Sequence, residues 1–341
     1  MEKIVKGLPT YLEKIEGINL KNREIIFLML SVPPICNYRC KKCFNSVGSR
    51  QIKNSLTLDE IFRIIKEAKA LGIRGVTILG EGEPLVYKNI KQIVEWVDKL
   101  RMILTISTNG RMLTKDMANF LYKHNVVVGI GLDTLNEKEY VSYCGGNANL
   151  KEVLKNIAYI RKLYSKKIYK KNGYKIYQLL LHMTVTSKNY NQMKKLEGFC
   201  KDDIYFDCQS LSEVGDAKKN ISFFKKGKND YDYKTFKKFG HLIKPPMVLL
   251  KMENEKNICC LFYYGIFVGY NGDVVLDASI KESLKYIGNI KDYPLKRLVE
   301  KRNKLRDFYL KNYNLLGYCP IREQSTLKKF IKDLKESKYK P

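Results

Sequence analysis

Three cysteines close together in the sequence are the residues whose type and spacing most directly predict chemistry. Cys36, Cys40 and Cys43 lie in the run Cys-Asn-Tyr-Arg-Cys-Lys-Lys-Cys. Thiolates at this spacing can converge on one iron–sulfur cluster, and three ligands leave the fourth iron open. An open position distinguishes catalytic metal sites from structural ones. A structural zinc site is the alternative, but the nearby sequence offers neither a histidine nor a further cysteine as fourth ligand.

Other polar residues stand where predicted strands end. The turn Gly-Glu-Gly-Glu-Pro at residues 80–84 follows a second predicted strand. Ser-Thr-Asn-Gly at residues 107–110 and Gly-Leu-Asp at residues 131–133 end the third and fourth. In parallel sheets and barrels, ligands bind beyond the carboxyl ends of the strands. We therefore expect these segments and the cysteines to converge on one rim.

The elements that must position this rim alternate between strands and helices. An apolar run at residues 25–32 predicts a buried parallel strand. Thr57 and Glu60 form a capping box at the start of an amphipathic helix. Further strands are predicted at 75–79, 103–108, 126–132, 177–185 and 204–208, and further helices at 90–100, 115–122, 150–164 and 192–199. This alternation predicts an α/β fold with right-handed crossovers, either a full or partial barrel or an open doubly wound sheet.

The chain changes character after residue 214. Residues 215–244 are polar and rich in Lys and Tyr, which predicts a basic linker. Beyond it, apolar segments at 265–268 and 273–277 flank Tyr-Asn-Gly, a strong hairpin signal, and a helix is predicted at 295–309. We therefore expect a core at residues 1–214, the linker, and a small α+β domain at residues 245–341.

Composition narrows the classes of function. The nine cysteines are too sparse for a disulfide framework in 341 residues. The sequence has no signal-like start and no run long enough to span a membrane, which predicts a cytoplasmic protein without a membrane partner. The net charge of +28 favours an RNA or anionic partner. Lysine is nevertheless spread over the whole chain without a recognisable RNA-binding module, which favours a solvated basic surface over such a partner.

In these motifs the chain resembles the radical SAM superfamily over about residues 25–210. The cysteine triplet matches the CxxxCxxC motif of that family, residues 80–84 resemble its GGEP motif, and the third and fourth strand ends match as well. The resemblance implies a partial (β/α)6 radical SAM barrel in which Cys36, Cys40 and Cys43 hold a [4Fe–4S] cluster. It implies S-adenosylmethionine (SAM) at the open iron, cleaved to a 5′-deoxyadenosyl radical that abstracts hydrogen from a substrate.

The resemblance also implies roles for the residues that surround SAM. Glu83 receives the SAM amino group through a charge-assisted hydrogen bond. Gly82 and Pro84 shape the turn so that the backbone can approach the ligand. Ser107 and Asn109 are candidates for the ribose or the carboxylate of SAM, and ordinary turn chemistry is the alternative for both.

The chain departs from the family pattern at several positions. Lys42 stands where an aromatic residue usually precedes the last cysteine, so that Tyr38 or Phe44 becomes the candidate for packing on the adenine. Asp133 is a weaker candidate for a SAM contact, with a simple cap as its alternative. Further departures stand at Glu81, Gly131 and Cys144, the last in place of an arginine that helps to hold SAM in relatives.

The remaining cysteines carry two hypotheses, each with plain packing as its alternative. The C-terminal part is similar to the SPASM and twitch extensions, which bind auxiliary iron–sulfur clusters. The candidate auxiliary ligands are Cys259, Cys260, Asp277 and Cys319. Cys144 and Cys208 fall near predicted strand ends, where either thiol could donate a hydrogen atom to a substrate radical.

The function that these features favour is a radical SAM enzyme acting on a peptide or a small natural-product-like substrate, by oxidation, cross-linking or epimerisation. A flavodoxin or ferredoxin would supply its electrons. Two alternatives stay open: a radical SAM enzyme that modifies RNA, and a non-catalytic iron–sulfur protein for electron transfer or sensing. The net charge favours the first alternative, whereas the second leaves Glu83 and Asn109 without a role.

Overall fold

The structure is a computed structural model that describes most of the chain. It describes residues 25–47, 52–79, 81–171, 174–211, 215–224, 265–276 and 287–313, and residues 329, 332, 333 and 336. Within these residues no helix combines the length and the apolar character needed to cross a membrane.

Strands make up a large sheet and one separate hairpin. In chain order they are β1 Phe27–Leu30, β2 Gly75–Ile78, β3 Ile103–Thr108, β4 Val127–Gly131, β5 Tyr169–Lys171, β6 Tyr174–Ile176, β7 Leu179–Val185, β8 Tyr205–Ser210, β9 Gly265–Val268, β10 Asp273–Val275 and β11 Gly288–Asn289. The large sheet has the order β11-β10-β9-β1-β2-β3-β4-β7-β8, and β5 pairs with β6.

Helices connect the strands. They are α1 Leu58–Ala70, α2 Ile90–Lys99, α3 Lys115–Lys123, α4 Glu137–Cys144, α5 Leu150–Tyr164, α6 Met193–Cys200, α7 Gly215–Lys219, α8 Ile221–Phe224 and α9 Leu295–Tyr313. Helix α1 begins with the predicted capping box, in which Thr57 and Glu60 exchange hydrogen bonds.

The six strands β1, β2, β3, β4, β7 and β8 are all parallel, which confirms the α/β prediction. The sheet is open, because β8 and β11 are its two ends, so the partial barrel is confirmed and a closed one is excluded. Strand β9 pairs in parallel with β1, and β10 and β11 follow it in antiparallel pairing. The small C-terminal part therefore extends the core sheet.

One face of the sheet is apolar and covered by helices. Since successive side chains of a strand point to opposite faces, every second residue belongs to it. Its members are Leu28, Leu30, Val76, Ile78, Leu104, Ile106, Val128, Ile130, Leu181, Met183 and Val185, all fully buried. Helix α1 packs its buried residues Ile61, Ile64, Ile65 and Ala68 into the same core.

The opposite face, here called the inner face, is mixed in character and partly open. Its apolar members include Met29, Ile103, Val127 and Leu180, which are buried. Its other members include Thr77, Thr105, Ser107, Gly129, Gly131, His182, Thr184, Tyr205, Asp207 and Gln209. Six of these, Thr77, Ser107, Gly131, His182, Thr184 and Tyr205, are half-buried, in contrast to the helix-covered face. The inner face is thus where a ligand can reach the strands.

Three segments differ from the sequence-based expectation. Helix α4 and the hairpin of β5 and β6 were not expected. The first ten residues of the predicted linker form α7 and α8, and Phe224 in α8 is fully buried. This end of the predicted linker therefore packs on the core, because its phenylalanines bury apolar surface that a linker would expose.

Candidate functional site

The three cysteines lie in the loop that follows β1, and each is half-buried. Backbone hydrogen bonds hold this loop against the end of α4: the N–H groups of Arg39 and Lys41 donate to the carbonyls of Cys144 and Tyr143 at 3.0 and 2.9 Å. Gly145 has a φ of +58°, and a Cβ there would lie 2.9 Å from the Arg39 carbonyl oxygen. A glycine is therefore needed where α4 ends against the loop.

A second element closes the loop from the other side. The N–H group of Asp216, in α7, donates to the carbonyl oxygen of Cys43 at 2.8 Å. A Cβ at Gly215 would lie only 2.3 Å from the Phe44 carbonyl oxygen, so α7 starts in contact with the cysteine loop. The loop is thus fixed between α4 and α7.

The donor set fits an iron–sulfur cluster. The N–H of Tyr38 donates to Cys36 Sγ at 3.4 Å, a contact that also stabilises a bound thiolate. Burial raises the pKa of Cys36 to about 11 and also raises that of Cys43. A hydrogen bond with the Cys144 thiol, followed by burial, raises the pKa of Cys40. The metal-free thiols are therefore protonated at neutral pH, and iron binding must release their protons.

The zinc alternative finds no support in the described part of the chain. There, no group of three or more His, Cys, Asp or Glu side chains is arranged to hold a metal ion. A single zinc ion requires four ligands at about 2.0–2.3 Å, whereas a four-iron cluster spaces its thiolates more widely.

The turn at residues 81–84 docks directly on the cysteine loop. The N–H of Glu83 donates to the Ile35 carbonyl oxygen at 2.7 Å. A Cβ at Gly82 would lie 2.4 Å from the same oxygen, so a side chain at this position would collide with the cysteine loop. The approach of this backbone to the ligand stays a prediction. Pro84 opens a short 3-10 turn, Pro84–Val86, for which Glu83 is the N-cap.

The Glu83 carboxylate is held by three donors. Oε1 accepts from Leu85 N at 3.1 Å and Thr108 Oγ1 at 2.7 Å, and Oε2 accepts from Asn109 N at 2.6 Å. Its side chain is 3% exposed, and burial, opposed by these bonds, raises the pKa of Glu83 to about 6. A carboxylate can accept about four hydrogen bonds, so one position on Oε2 remains.

Asn109 links this carboxylate to the cysteine loop. Its Nδ2 donates to Asn37 Oδ1 at 2.8 Å, and its Oδ1 accepts from Arg111 N at 3.0 Å. Ser107 lies on the inner face instead, opposite Gly129. The sequence analysis gave no role to Thr108, whose hydroxyl donates to Glu83. The same hydroxyl accepts from Gly110 N at 3.1 Å, a turn contact that a Thr before Asn-Gly indicates.

Asp133 has protein partners on both of its oxygens. Oδ1 accepts from Thr184 N at 2.9 Å, and Oδ2 forms an ion pair with Lys42 Nζ. Burial alone would lower the pKa of Lys42, but the Asp133 carboxylate outweighs it and raises that pKa. Asp133 thus joins the β4 end to the cysteine loop through an ion pair, and its contact with SAM stays a prediction.

Of the two aromatic candidates for the adenine, one is part of the core. Tyr38 is 2% exposed, packs edge-on against Tyr140 at 6.3 Å between ring centroids, and shares a 3.3 Å contact between the two hydroxyls. These contacts leave Tyr38 no face for adenine, which corrects that prediction. Phe44 is half-buried at the loop end and stays a candidate.

The two proposed hydrogen donors, Cys144 and Cys208, lie in different parts of the fold. Cys144 is buried at the end of α4, beside Cys40. Cys208 is 1% exposed and pairs with Met183 on the helix-covered face, so its thiol lies behind the sheet. This position corrects the hydrogen-donor prediction for Cys208. The candidate auxiliary ligands Cys259, Cys260, Asp277 and Cys319 lie outside the described residues.

Two further residues were not anticipated as parts of the site. A Cβ at Gly129 would lie 3.0 Å from His182 Nε2, so the imidazole lies across β4 on the inner face. Glu81, which departs from the motif, is buried and accepts from Tyr270 N at 3.0 Å. It thereby joins the turn beside Glu83 to the hairpin between β9 and β10.

Comparisons with known proteins agree with this geometry. A model of the radical SAM superfamily matches residues 30–177. A GTP 3′,8-cyclase of Clostridium perfringens is 35% identical over 122 residues, covering 35% of this chain and 38% of the relative. One of Clostridium botulinum is 33% identical over 139 residues, covering 40% and 43%. The match thus spans roughly two fifths of these relatives.

Two solved structures share the fold. SuiB of Streptococcus suis bound to S-adenosylmethionine has a TM-score of 0.63 at 20% identity, with 86% of this chain and 72% of SuiB covered. Native anSMEcpe with bound AdoMet has a TM-score of 0.59 at 16% identity, with 91% and 97% covered. Residues 30–177, which include the cysteine loop and the parallel strands β1 to β4, thus match the radical SAM superfamily, whose enzymes use a [4Fe–4S] cluster and S-adenosylmethionine.

Proposed function

We propose that Cys36, Cys40 and Cys43 hold the [4Fe–4S] cluster and that the enzyme abstracts hydrogen from a substrate bound over the inner face. The observation that carries the proposal is the direct contact between the cysteine loop and the Glu83 turn. Glu83 N binds the loop at Ile35, and the Glu83 carboxylate is joined to it through Asn109. Two segments 40 and more residues apart in sequence thereby form one ligand site.

The residues of the chain act by holding SAM in place. The remaining acceptor position of Glu83 Oε2 would receive the SAM ammonium, and the three donors already present fix the carboxylate before the ligand binds. Phe44 is the candidate for the adenine. When bound, the cluster supplies the electron that cleaves the sulfonium bond of SAM.

The inner face favours a substrate without a large negative charge. The polar residues of its strands are Thr, Ser, Tyr, His182, Asp207 and Gln209, with bare backbone at Gly129 and Gly131, and none is Lys or Arg. Lys42, at its edge, is ion-paired to Asp133. A peptide or a small natural-product-like molecule therefore remains the first candidate, with Cys144 as candidate hydrogen donor.

A purine nucleotide is the second candidate, favoured by the relatives named GTP 3′,8-cyclase at 33–35% identity. A triphosphate needs cationic partners, which the inner-face strands do not provide. The identity is confined to about two fifths of those relatives, so it supports shared SAM chemistry more strongly than a shared substrate.

Anaerobic reconstitution tests the cluster site. We expect about four irons per wild-type chain in this site and an altered electron paramagnetic resonance (EPR) spectrum when SAM is added to the reduced protein. A variant with Cys36, Cys40 and Cys43 all changed to alanine should lack that SAM-sensitive signal. A signal that survives in the triple variant would place the SAM-binding cluster elsewhere.

Two substrate arms then separate the candidates. GTP, added with SAM and a reductant, should neither be consumed nor raise the yield of 5′-deoxyadenosine; consumption of GTP would instead establish the nucleotide candidate. If a short peptide encoded by a neighbouring gene is turned over, Cys144→Ala should reduce the yield of its product while Cys208→Ala should not. Equal yields from both variants would remove Cys144 from the mechanism.

A further inference from the structure

Lys42 reaches from the cysteine loop to the far side of the rim. Its ammonium contacts Asp133 Oδ2, beyond the end of β4, and Thr184 Oγ1, at 3.4 Å in β7. The exposed fraction of the side chain is 20% for Lys42 and 5% for Asp133. Because Lys42 lies between Cys40 and Cys43 in sequence, this contact ties the centre of the cysteine loop to two strands.

The anchor on the strand side is built independently of the lysine. Thr184 N donates to Asp133 Oδ1 at 2.9 Å. Asn189 Nδ2 donates to the carbonyl oxygens of Thr184 and Asp133 at 2.9 and 3.4 Å, and Asn189 is itself buried. Asp133 is thus held in one orientation toward the loop, which is the arrangement expected of a dedicated partner for a charge.

Lys41, the residue next to Lys42, makes different contacts. Lys41 Nζ lies 3.9 Å from the centroid of the Phe223 ring, which Lys188 also approaches, at 3.8 Å. Lys41 therefore faces α8, away from Asp133. The two lysines are adjacent in sequence and equal in charge, but only Lys42 is paired with a buried carboxylate among the contacts described here.

We infer that the Lys42–Asp133 pair positions the cysteine loop and balances the charge beside its cluster, so that loss of either member shifts the reduction potential of the cluster. The inference rests on the proposed cluster ligands. Charges in a poorly solvated environment act strongly at short range. The ammonium favours the reduced cluster, which is more negative, and the carboxylate disfavours it, so the intact pair nearly cancels. Removal of one member leaves the other uncompensated.

The test is a set of reduction potentials measured on reconstituted protein by EPR-monitored titration. Lys42→Met should lower the potential, Asp133→Asn should raise it, and the double variant should return close to wild type. Lys42→Arg should restore the wild-type value, and the matched control Lys41→Met should leave it unchanged. A purely structural role predicts no such opposite signs. Circular dichroism of each variant establishes that it is folded.

The outcomes separate the inference from the function on which it rests. A folded Lys42→Met variant that binds no cluster, while Lys41→Met does, supports the positioning role. If Asp133→Asn does not fold, a lower potential in Lys42→Met than in Lys42→Arg supports the inference and equal potentials overturn it. If the reduction potentials of Lys42→Met and Asp133→Asn shift in the same direction, or shift no more than that of Lys41→Met, the inference is overturned. The proposed cluster site is unaffected by that result. A wild-type chain without a SAM-sensitive cluster overturns both proposals.

Discussion

The helix-covered face and the inner face of the sheet are built from alternate residues of the same strands, yet they do different work. Ile106 is fully buried among apolar side chains, and its neighbour Ser107 is half-buried opposite Gly129. One step along β3 therefore changes a residue from a source of stability into one that can meet a ligand. At the strand ends the two roles meet, because Glu83 and Asp133 are both buried and polar.

The largest effect expected from this contrast is on stability. Ile106→Ala should lower the free energy of unfolding by about 3 kcal/mol, because it opens a cavity in a closely packed face. Ser107→Ala, one residue away, should change it by less than about 0.5 kcal/mol. Urea denaturation of both variants measures the difference. Similar losses in the two would show that the faces are not energetically distinct.

Glu83 should show the cost of burying a carboxyl group at the rim. The folded pKa of Glu83, about 6, lies above the ordinary 4.5. The protonated Glu83 carboxyl group therefore contributes its full stability below pH 4.5, and this contribution is lost as pH rises through 6. Relative to Glu83→Gln, cofactor-free wild type should lose about 2 kcal/mol of unfolding free energy across that window. Denaturation at a series of pH values measures this; a constant difference between the two proteins would contradict it.

Cys208 should behave as part of the helix-covered face. Cys208→Ala should cost about 1 kcal/mol of unfolding free energy, close to the value of one buried methylene group, because it removes one buried sulfur atom. Its yield of 5′-deoxyadenosine should equal that of wild type. A folded Cys208→Ala variant with a reduced yield would bring this cysteine into the chemistry.

The smallest effect concerns the inner face itself. Gly129→Ala should displace the His182 imidazole by a few tenths of an ångström, since the new Cβ would start 3.0 Å from Nε2. The unfolding free energy should stay within about 1 kcal/mol, because crowding and the loss of a flexible glycine oppose each other. In spectra of histidine-labelled protein the His182 resonances should shift and those of His124 should not. Unmoved His182 resonances would mean that the ring does not lie across β4.

Much of the rim could be predicted because its residues follow strands with visible patterns. The bounds of β3 and α5 are the predicted ones, and the Glu83 turn lies beside the cysteine loop as expected. Contacts between distant segments could not be predicted in the same way. The ion pair of Lys42 and Asp133 and the bond from Thr108 to Glu83 join residues that share no local periodicity.

Helix α4 was missed for a local reason. Its sequence, Glu-Lys-Glu-Tyr-Val-Ser-Tyr-Cys, contains several residues of low helix propensity. Its N-cap could nevertheless have been predicted, because Asn is a preferred N-cap residue. In the structure Asn136 Oδ1 accepts from Glu139 N at 3.0 Å. The register of β8 also determines which face of the sheet Cys208 belongs to, because successive side chains of a strand alternate between the two faces.

The central claim is that the cysteine loop and the Glu83 turn together cleave SAM. Its most direct test is the yield of 5′-deoxyadenosine from reconstituted protein incubated anaerobically with SAM and dithionite. We predict formation by wild type and by Cys208→Ala, and none by the variant that lacks Cys36, Cys40 and Cys43. Wild-type protein that carries a full cluster but yields no 5′-deoxyadenosine, or an undiminished yield from the triple variant, would contradict the claim.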